Sequence, residues 1–171
     1  GDVFLLMTAD RKEFKSKTVL IASGADPRPL EVEGEKEFIG KGVSYCVSCD
    51  GPLFADKIVV VIGGGNAGFE AAIALSNYAK KVYILEAGSK VRAEQEIQDQ
   101  VKKIAKISLI TEAILQKIQG KNFVESIVYQ EKTSKKLVAL DVQGLFVEIG
   151  SQPATSFVND LVDFNEKDER K

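Results

Sequence analysis

The run Ile58-Val59-Val60-Val61-Ile62, followed at once by Gly63-Gly64-Gly65-Asn66-Ala67-Gly68, leaves this chain few folds to choose from. Five consecutive apolar, mostly β-branched residues suit a strand buried on both faces, as in a parallel sheet. The spacing Gly63-x-Gly65-x-x-Gly68 then fits a tight strand-to-helix turn. Gly63 permits the turn, Gly65 lets the backbone approach a pyrophosphate, and Gly68 lets helix and strand pack closely. A helix predicted from about Asn66 to Tyr78 points free N–H groups and a partial positive charge at that anion. On it Gly68, Ala71, Ala72 and Leu75 recur at i, i+3, i+4, i+7, a face of small residues able to lie against a sheet. The second strand, Lys81–Leu85, ends at Glu86, roughly 20 residues further on, where a carboxylate accepts hydrogen bonds from ribose hydroxyls. The same charge repels a 2′-phosphate, so Glu86 favours NADH over NADPH. The plainer alternatives are a glycine-rich turn that binds nothing and a solvated strand-end acid.

Around this unit the chain reads as a series of short elements. Val3–Thr8 and Thr18–Ala22 read as strands separated by a polar turn, Ala9–Lys17. Pro27 and Pro29 then break regular structure, and the charged, glycine-bearing stretch Glu31–Lys41 suits a linker. A short helix is predicted over Cys46–Ala55 and another over Glu94–Ile104. From Ile107 the periodicity shortens to five strands: Ser108–Ile110, Ala113–Ile118, Phe123–Gln130, Lys136–Leu140 and Gly144–Ile149. The first of these completes a β-α-β-α-β unit. The fold class expected is therefore α/β, a doubly wound, Rossmann-like nucleotide-binding domain with a small antiparallel β-meander.

The two cysteines, Cys46 and Cys49, are the second informative feature. With no histidine in 171 residues, His-based acid–base chemistry, Ser-His-Asp triads and a four-ligand zinc site within one chain are excluded. A zinc shared across a dimer stays open; no metal site is assigned. A helix beginning at Cys46 places its thiol over the positive end of the dipole, which lowers thiol pKa. The pair is spaced to cycle between dithiol and disulfide, with Asp50 beside it to accept or donate a proton. Two incidental cysteines are the alternative. A nicotinamide passing electrons to a disulfide needs a two-electron relay such as a flavin, and no second dinucleotide fingerprint is present to hold one. The net charge of −2 offers no footprint for nucleic acid. No apolar run nears the roughly 18 residues of a membrane span, which makes a cytoplasmic protein the default expectation.

These motifs resemble the low-molecular-weight thioredoxin reductases and the related flavoprotein subunit of alkyl hydroperoxide reductase. The likeness runs through residues 21–28 (IASGADPR), 42–51 (GVSYCVSCDG), 63–70 (GGGNAGFE) and 144–150 (GLFVEIG). It implies an enzyme whose FAD domain is split by an inserted nicotinamide domain. Residues 1–30 would close the first FAD-domain segment, 31–150 would form the NAD(P)H-binding domain with the redox cysteines, and 151–171 would open the second FAD-domain segment. Gly1-Asp2 in place of an initiator methionine agrees with a piece of a longer enzyme, expected to bind nucleotide without turning over alone. The resemblance further implies FAD in the complete enzyme, which is expected as a homodimer. Cys49 would face the flavin, Cys46 would exchange with the substrate's disulfide, and Asp50 would serve proton transfer, with the domains alternating between two orientations. To Gly63, Gly65, Gly68 and Glu86 it adds Asn66, Glu70, Arg92 and Gly150 as cofactor-binding residues. The implied acceptor is a thioredoxin-like or peroxiredoxin-system protein disulfide. NADPH-using members carry a His-Arg-Arg cluster where this chain has Glu86-Ala87-Gly88, with only Lys90 and Arg92 basic nearby, so the peroxide-reductase branch and NADH are favoured. Ser151-Gln152-Pro153-Ala154-Thr155 also departs from the usual Pro-Asn-Thr. A non-catalytic nucleotide-binding redox module is the remaining alternative.

Overall fold

The structure, a computed structural model, describes residues 3–158. Its contacts divide these residues into two units, one spanning Pro27–Ser151 and the other formed by the described residues before and after it. In the smaller unit, β1 (Phe4–Met7) and β2 (Glu13–Ser16) form an antiparallel hairpin. The strand expected over Thr18–Ala22 is absent, and the stretch expected as a polar turn supplies β2 instead. The reversal is local: Thr8 Oγ1 accepts from the Lys12 N–H at 3.1 Å, while Arg11 takes a positive φ of 63°. A hairpin closed by backbone and hydroxyl bonds does not need an apolar second strand, so composition is a poor guide here. Strand β3 (Ala25–Pro27) pairs with a late strand, Ser151–Pro153.

The larger unit begins with a one-turn helix, α1 (Glu35–Phe38), a two-residue strand, β4 (Val43–Ser44), and the short helix α2 (Val47–Asp50), which runs into a 3₁₀ turn over Gly51–Phe54. There follow β5 (Ile58–Ile62), α3 (Asn66–Ser76), β6 (Lys81–Leu85), α4 (Gln95–Lys102) and β7 (Ile107–Ile110). The chain then makes β8 (Ala113–Gly120), β9 (Val124–Glu131) and β10 (Leu137–Asp141), and returns as β11 (Gly144–Val147) before the late strand β12 (Ser151–Pro153). Strands β4, β11, β5, β6 and β7 form, in that order, a parallel sheet.

One expectation is corrected here. Periodicity assigns Gly144–Val147 to the meander, yet this strand runs between β4 and β5, and only β8, β9 and β10 form the antiparallel sheet. The reason is burial: all four residues of β11 are buried, which a two-faced sheet demands of a central strand. The sheet divides the core by alternation. Val59, Val61, Val82, Ile84 and Phe146 face a layer made by α3 and α4, where Phe69, Ala72, Leu75 and Val101 are buried. Val60, Ile62, Leu85, Leu145 and Val147 face the meander, packing on Leu115, Ile118, Ile127 and Tyr129. The second face of the sheet is thus covered by strands rather than helices. The fold is α/β, with a parallel Rossmann-like sheet carrying an antiparallel one.

Candidate functional site

At the C-terminal ends of β5, β6 and β11 lies a cleft of about 590 Å³, a size that suits a cofactor. Gly63, Gly65, Asn66, Glu86, Arg92 and Gly150 all line it, so the structure brings together six of the eight residues expected to bind nucleotide. Gly68 does not line it but explains its shape. A Cβ on Gly68 would stand 2.0 Å from the Gly63 carbonyl oxygen, so α3 sits on the turn with no room for a side chain. Gly63 has φ +127°, and a Cβ there would meet the Glu148 carbonyl at 2.3 Å. Gly65 has open space around it, which leaves its backbone accessible from the cleft.

Glu86 reaches back to hold this turn. Its carboxylate accepts from the Gly64 N–H and the Gly88 N–H, each at 2.7 Å. Acceptor capacity remains on both oxygens for ligand hydroxyls. The loop after β6 folds over the turn as well, through Arg92 N–H and Ala93 N–H bonds to the Gly64 carbonyl at 2.8 and 3.1 Å. Asn66 opens α3 and pairs reciprocally with Glu94, which precedes α4. At the other end of the cleft, the Gly150 carbonyl accepts from Arg28 N–H at 3.0 Å.

Glu70 is placed elsewhere. It is exposed on α3 and lines an adjoining groove of about 640 Å³ with Tyr45, Cys46, Ser48 and Glu148. Cys46 and Cys49 form a disulfide, their Cα atoms 5.3 Å apart. Cys46 is the N-cap of α2, and its sulfur accepts from the Cys49 N–H at 3.2 Å. Cys49 is exposed and Cys46 half-buried. Asp50 lines neither cavity; the Ser44 hydroxyl donates to it at 2.6 Å while accepting from the Cys46 N–H at 3.0 Å. One serine at the end of β4 therefore couples the acid to the first cysteine. The 3₁₀ turn that follows is anchored by Phe54, edge-on to Phe146 with ring centroids 5.1 Å apart.

Four residues that matter here carry no signal in the sequence pattern. Glu35 is 2% exposed and accepts from the Leu30 N–H at 2.7 Å, the Glu31 N–H at 2.8 Å and the Tyr45 hydroxyl. Leu30 and Val32 floor the nucleotide cleft, so Glu35 ties that floor to the residue before Cys46. Burial, then the hydrogen bond and charge of Glu35, hold the second of the four, the Tyr45 hydroxyl, above its ordinary pKa. Ser44 is the third. Glu148 is the fourth: it lines both the cleft and the groove, and burial raises its carboxyl above the usual range. The signals for these roles are tertiary, apart from the acid that closes the apolar run of β11.

Such a unit is a dinucleotide-binding domain carrying a redox-capable disulfide beside its cleft. A family model described as pyridine nucleotide-disulphide oxidoreductase matches residues 2–169. The chain is 41% identical over 155 residues to an alkyl hydroperoxide reductase flavoprotein of Staphylococcus aureus, covering 91% of this chain and 31% of the relative. Among solved structures, thioredoxin reductase from Lactococcus lactis superposes with a TM-score of 0.89 at 35% identity, covering 98% of this chain and 55% of that one. Thioredoxin reductase from T. acidophilum gives 0.86 at 38% identity, covering 95% and 54%. This chain belongs to the pyridine nucleotide-disulphide oxidoreductase family. It spans about a third of the length of the curated relatives and about half that of the solved reductases.

Proposed function

We propose that this chain is the nicotinamide- and disulfide-bearing part of a thioredoxin-reductase-type flavoprotein. It passes two electrons from NAD(P)H to the Cys46–Cys49 disulfide and on to a thioredoxin-like or peroxiredoxin-system protein disulfide. The observation that carries this reading is the pairing, within Pro27–Ser151, of a glycine-turn cleft with a disulfide in the adjoining groove. The balance is a hydride from the nicotinamide and one proton for a disulfide, giving the oxidised nicotinamide and two thiols. The dithiol then exchanges with the acceptor's disulfide, in which Cys46, half-buried on the groove wall, is the attacking sulfur. Asp50, oriented by Ser44, holds the proton that the thiol pair gains or loses. FAD supplies this family with the relay between nicotinamide and disulfide. The described residues contain one glycine-rich βα turn, which suits one dinucleotide, so no residue of this chain is assigned to the flavin.

The relatives named for alkyl hydroperoxide reductase support a second acceptor, a peroxiredoxin-system disulfide, and Glu86 supports NADH as donor. The acid is held at the cleft by two backbone N–H groups, which fixes a negative charge where a 2′-phosphate would come. Titration of the chain with both cofactors is expected to show NADH bound more tightly than NADPH, by about tenfold for one like-charge contact. The reverse order would overturn the NADH assignment. Failure of both to bind would overturn the nucleotide reading itself. With an added flavoprotein relay, NADH is expected to release two thiols per chain, countable with a thiol reagent.

A further inference from the structure

The strand order β4-β11-β5-β6-β7 fixes how a dinucleotide must lie. With its pyrophosphate at Gly63–Gly65 and its adenosine ribose at Glu86, past β6, the molecule's other half has to run the opposite way, over the end of β11. The first residue beyond β11 is Glu148. Its N–H donates to the Ile62 carbonyl at 2.9 Å, and its carbonyl is pressed against Gly63, so its backbone cannot withdraw from the turn. Its side chain lines both the nucleotide cleft and the groove of Cys46. Among the described residues the carboxyl has no hydrogen bond or ion pair, though it is half-buried.

A partly desolvated acceptor without a donor is costly unless a ligand supplies one. A phosphate is excluded by charge. The groups of a nicotinamide nucleotide that reach this side are the ribose, the ring and the ring's carboxamide, whose NH₂ is a neutral planar donor. We propose that Glu148 recognises the carboxamide of the bound nicotinamide and so sets selectivity for that half of the cofactor. This deepens the function proposed above and rests on it.

Four ligands test it by calorimetry on the whole chain: NAD⁺, ADP-ribose, AMP and the 3-acetylpyridine analogue of NAD⁺, which replaces the carboxamide NH₂ by methyl. In E148A, affinity for NAD⁺ is expected to fall about tenfold, the loss of one hydrogen bond to a charged group. Binding of ADP-ribose should change less than twofold. The acetylpyridine analogue should bind the parent chain about tenfold more weakly than NAD⁺, and in E148A that gap should close. In E148Q, whose amide carbonyl still accepts, most NAD⁺ affinity should return. Equal losses for NAD⁺ and ADP-ribose in E148A, or an unchanged acetylpyridine gap, overturn the assignment while leaving nucleotide binding intact. Absence of ADP-ribose and AMP binding to the parent chain would overturn the nucleotide reading, and this contact with it.

Discussion

The glycine turn and the cysteine turn occupy one unit and adjoining cavities, yet they are built by opposite means. At Gly63–Gly68 the structure is backbone against backbone, and space decides which residue fits. At Cys46–Asp50 it is side chain against side chain: Ser44 holds Asp50, Cys46 caps its own helix, and Glu35 steadies Tyr45. A backbone-built site tolerates no added atom but hardly depends on its neighbours' chemistry. A side-chain-built site tolerates reshaping but fails when one partner is removed.

Substituting the glycines one at a time breaks or sharpens that contrast most forcefully. Gly68→Ala puts a methyl 2.0 Å from the Gly63 carbonyl oxygen, within the turn itself. With backbone on both sides, the strain is expected to exceed about 3 kcal/mol in urea denaturation. Gly65→Ala is the control three residues away. Its φ of −91° suits any residue and no atom lies within 4 Å of the new Cβ, so stability should change by less than about 0.5 kcal/mol. That methyl projects into the space a pyrophosphate would take, and nucleotide affinity should drop about tenfold. If Gly65→Ala were as destabilising as Gly68→Ala, the division between packing and binding glycines would be wrong.

Glu35→Ala probes the other construction. It leaves two backbone N–H groups and a phenol without their acceptor in a site only 2% exposed. A cost of about 2–3 kcal/mol is expected. Because the bonds hold both Leu30, at the cleft floor, and Tyr45, beside Cys46, the same change should speed reduction of the disulfide by a small thiol and weaken nucleotide binding together. Loss of stability with neither functional change would reduce Glu35 to an anchor of α1.

The contrast also explains what can be read from the residues alone. Gly63, Gly65 and Gly68 announce themselves because backbone crowding leaves one residue type possible. Strands β5 and β6 do so because burial on both faces forces a continuous apolar run. Glu86 is legible for its position at a strand end. Its hydrogen bonds to Gly64 and Gly88 are not, since they depend on how the following loop folds back. Strand β11 is legible as a strand but not in its sheet, because Gly144–Val147 has too few residues for periodicity to tell a central strand from a meander strand. Strand β4, two residues long, carries no periodicity at all. Glu70 follows the glycine motif in sequence but turns on α3 toward Cys46, so a linear motif assigns it to the wrong cavity. Glu35, Ser44 and Glu148 are single polar residues among apolar ones, and only the folded chain shows what each faces.

The smallest effect concerns Glu148, where the two constructions meet, and it lies in the pH dependence of stability. Burial raises this carboxyl above its ordinary value. Between the ordinary carboxylate value, about 4.3, and the raised one, the folded chain therefore holds more proton than the unfolded chain. Stability contributed by the protonated form is complete below the ordinary value and is lost as pH rises through the raised one. The groups sharing its cavities are Glu70 and the Tyr45 hydroxyl on the groove side, and Glu86 and Arg92 on the cleft side. Arg92 alone among these opposes the shift, and Glu70 and Glu86 add to it once ionised. E148Q removes the titration without removing the volume. Its melting temperature should match the parent's near pH 4 and exceed it at pH 7, by no more than about 2 °C given the solvent still reaching the group. A bound nicotinamide should erase that difference by giving the carboxylate a donor. A parent chain that gained stability over E148Q between pH 4 and 7 would mean that a donor already faces Glu148 without ligand, and the cleft would then lack the unpaired acceptor that sets it apart from the cysteine turn.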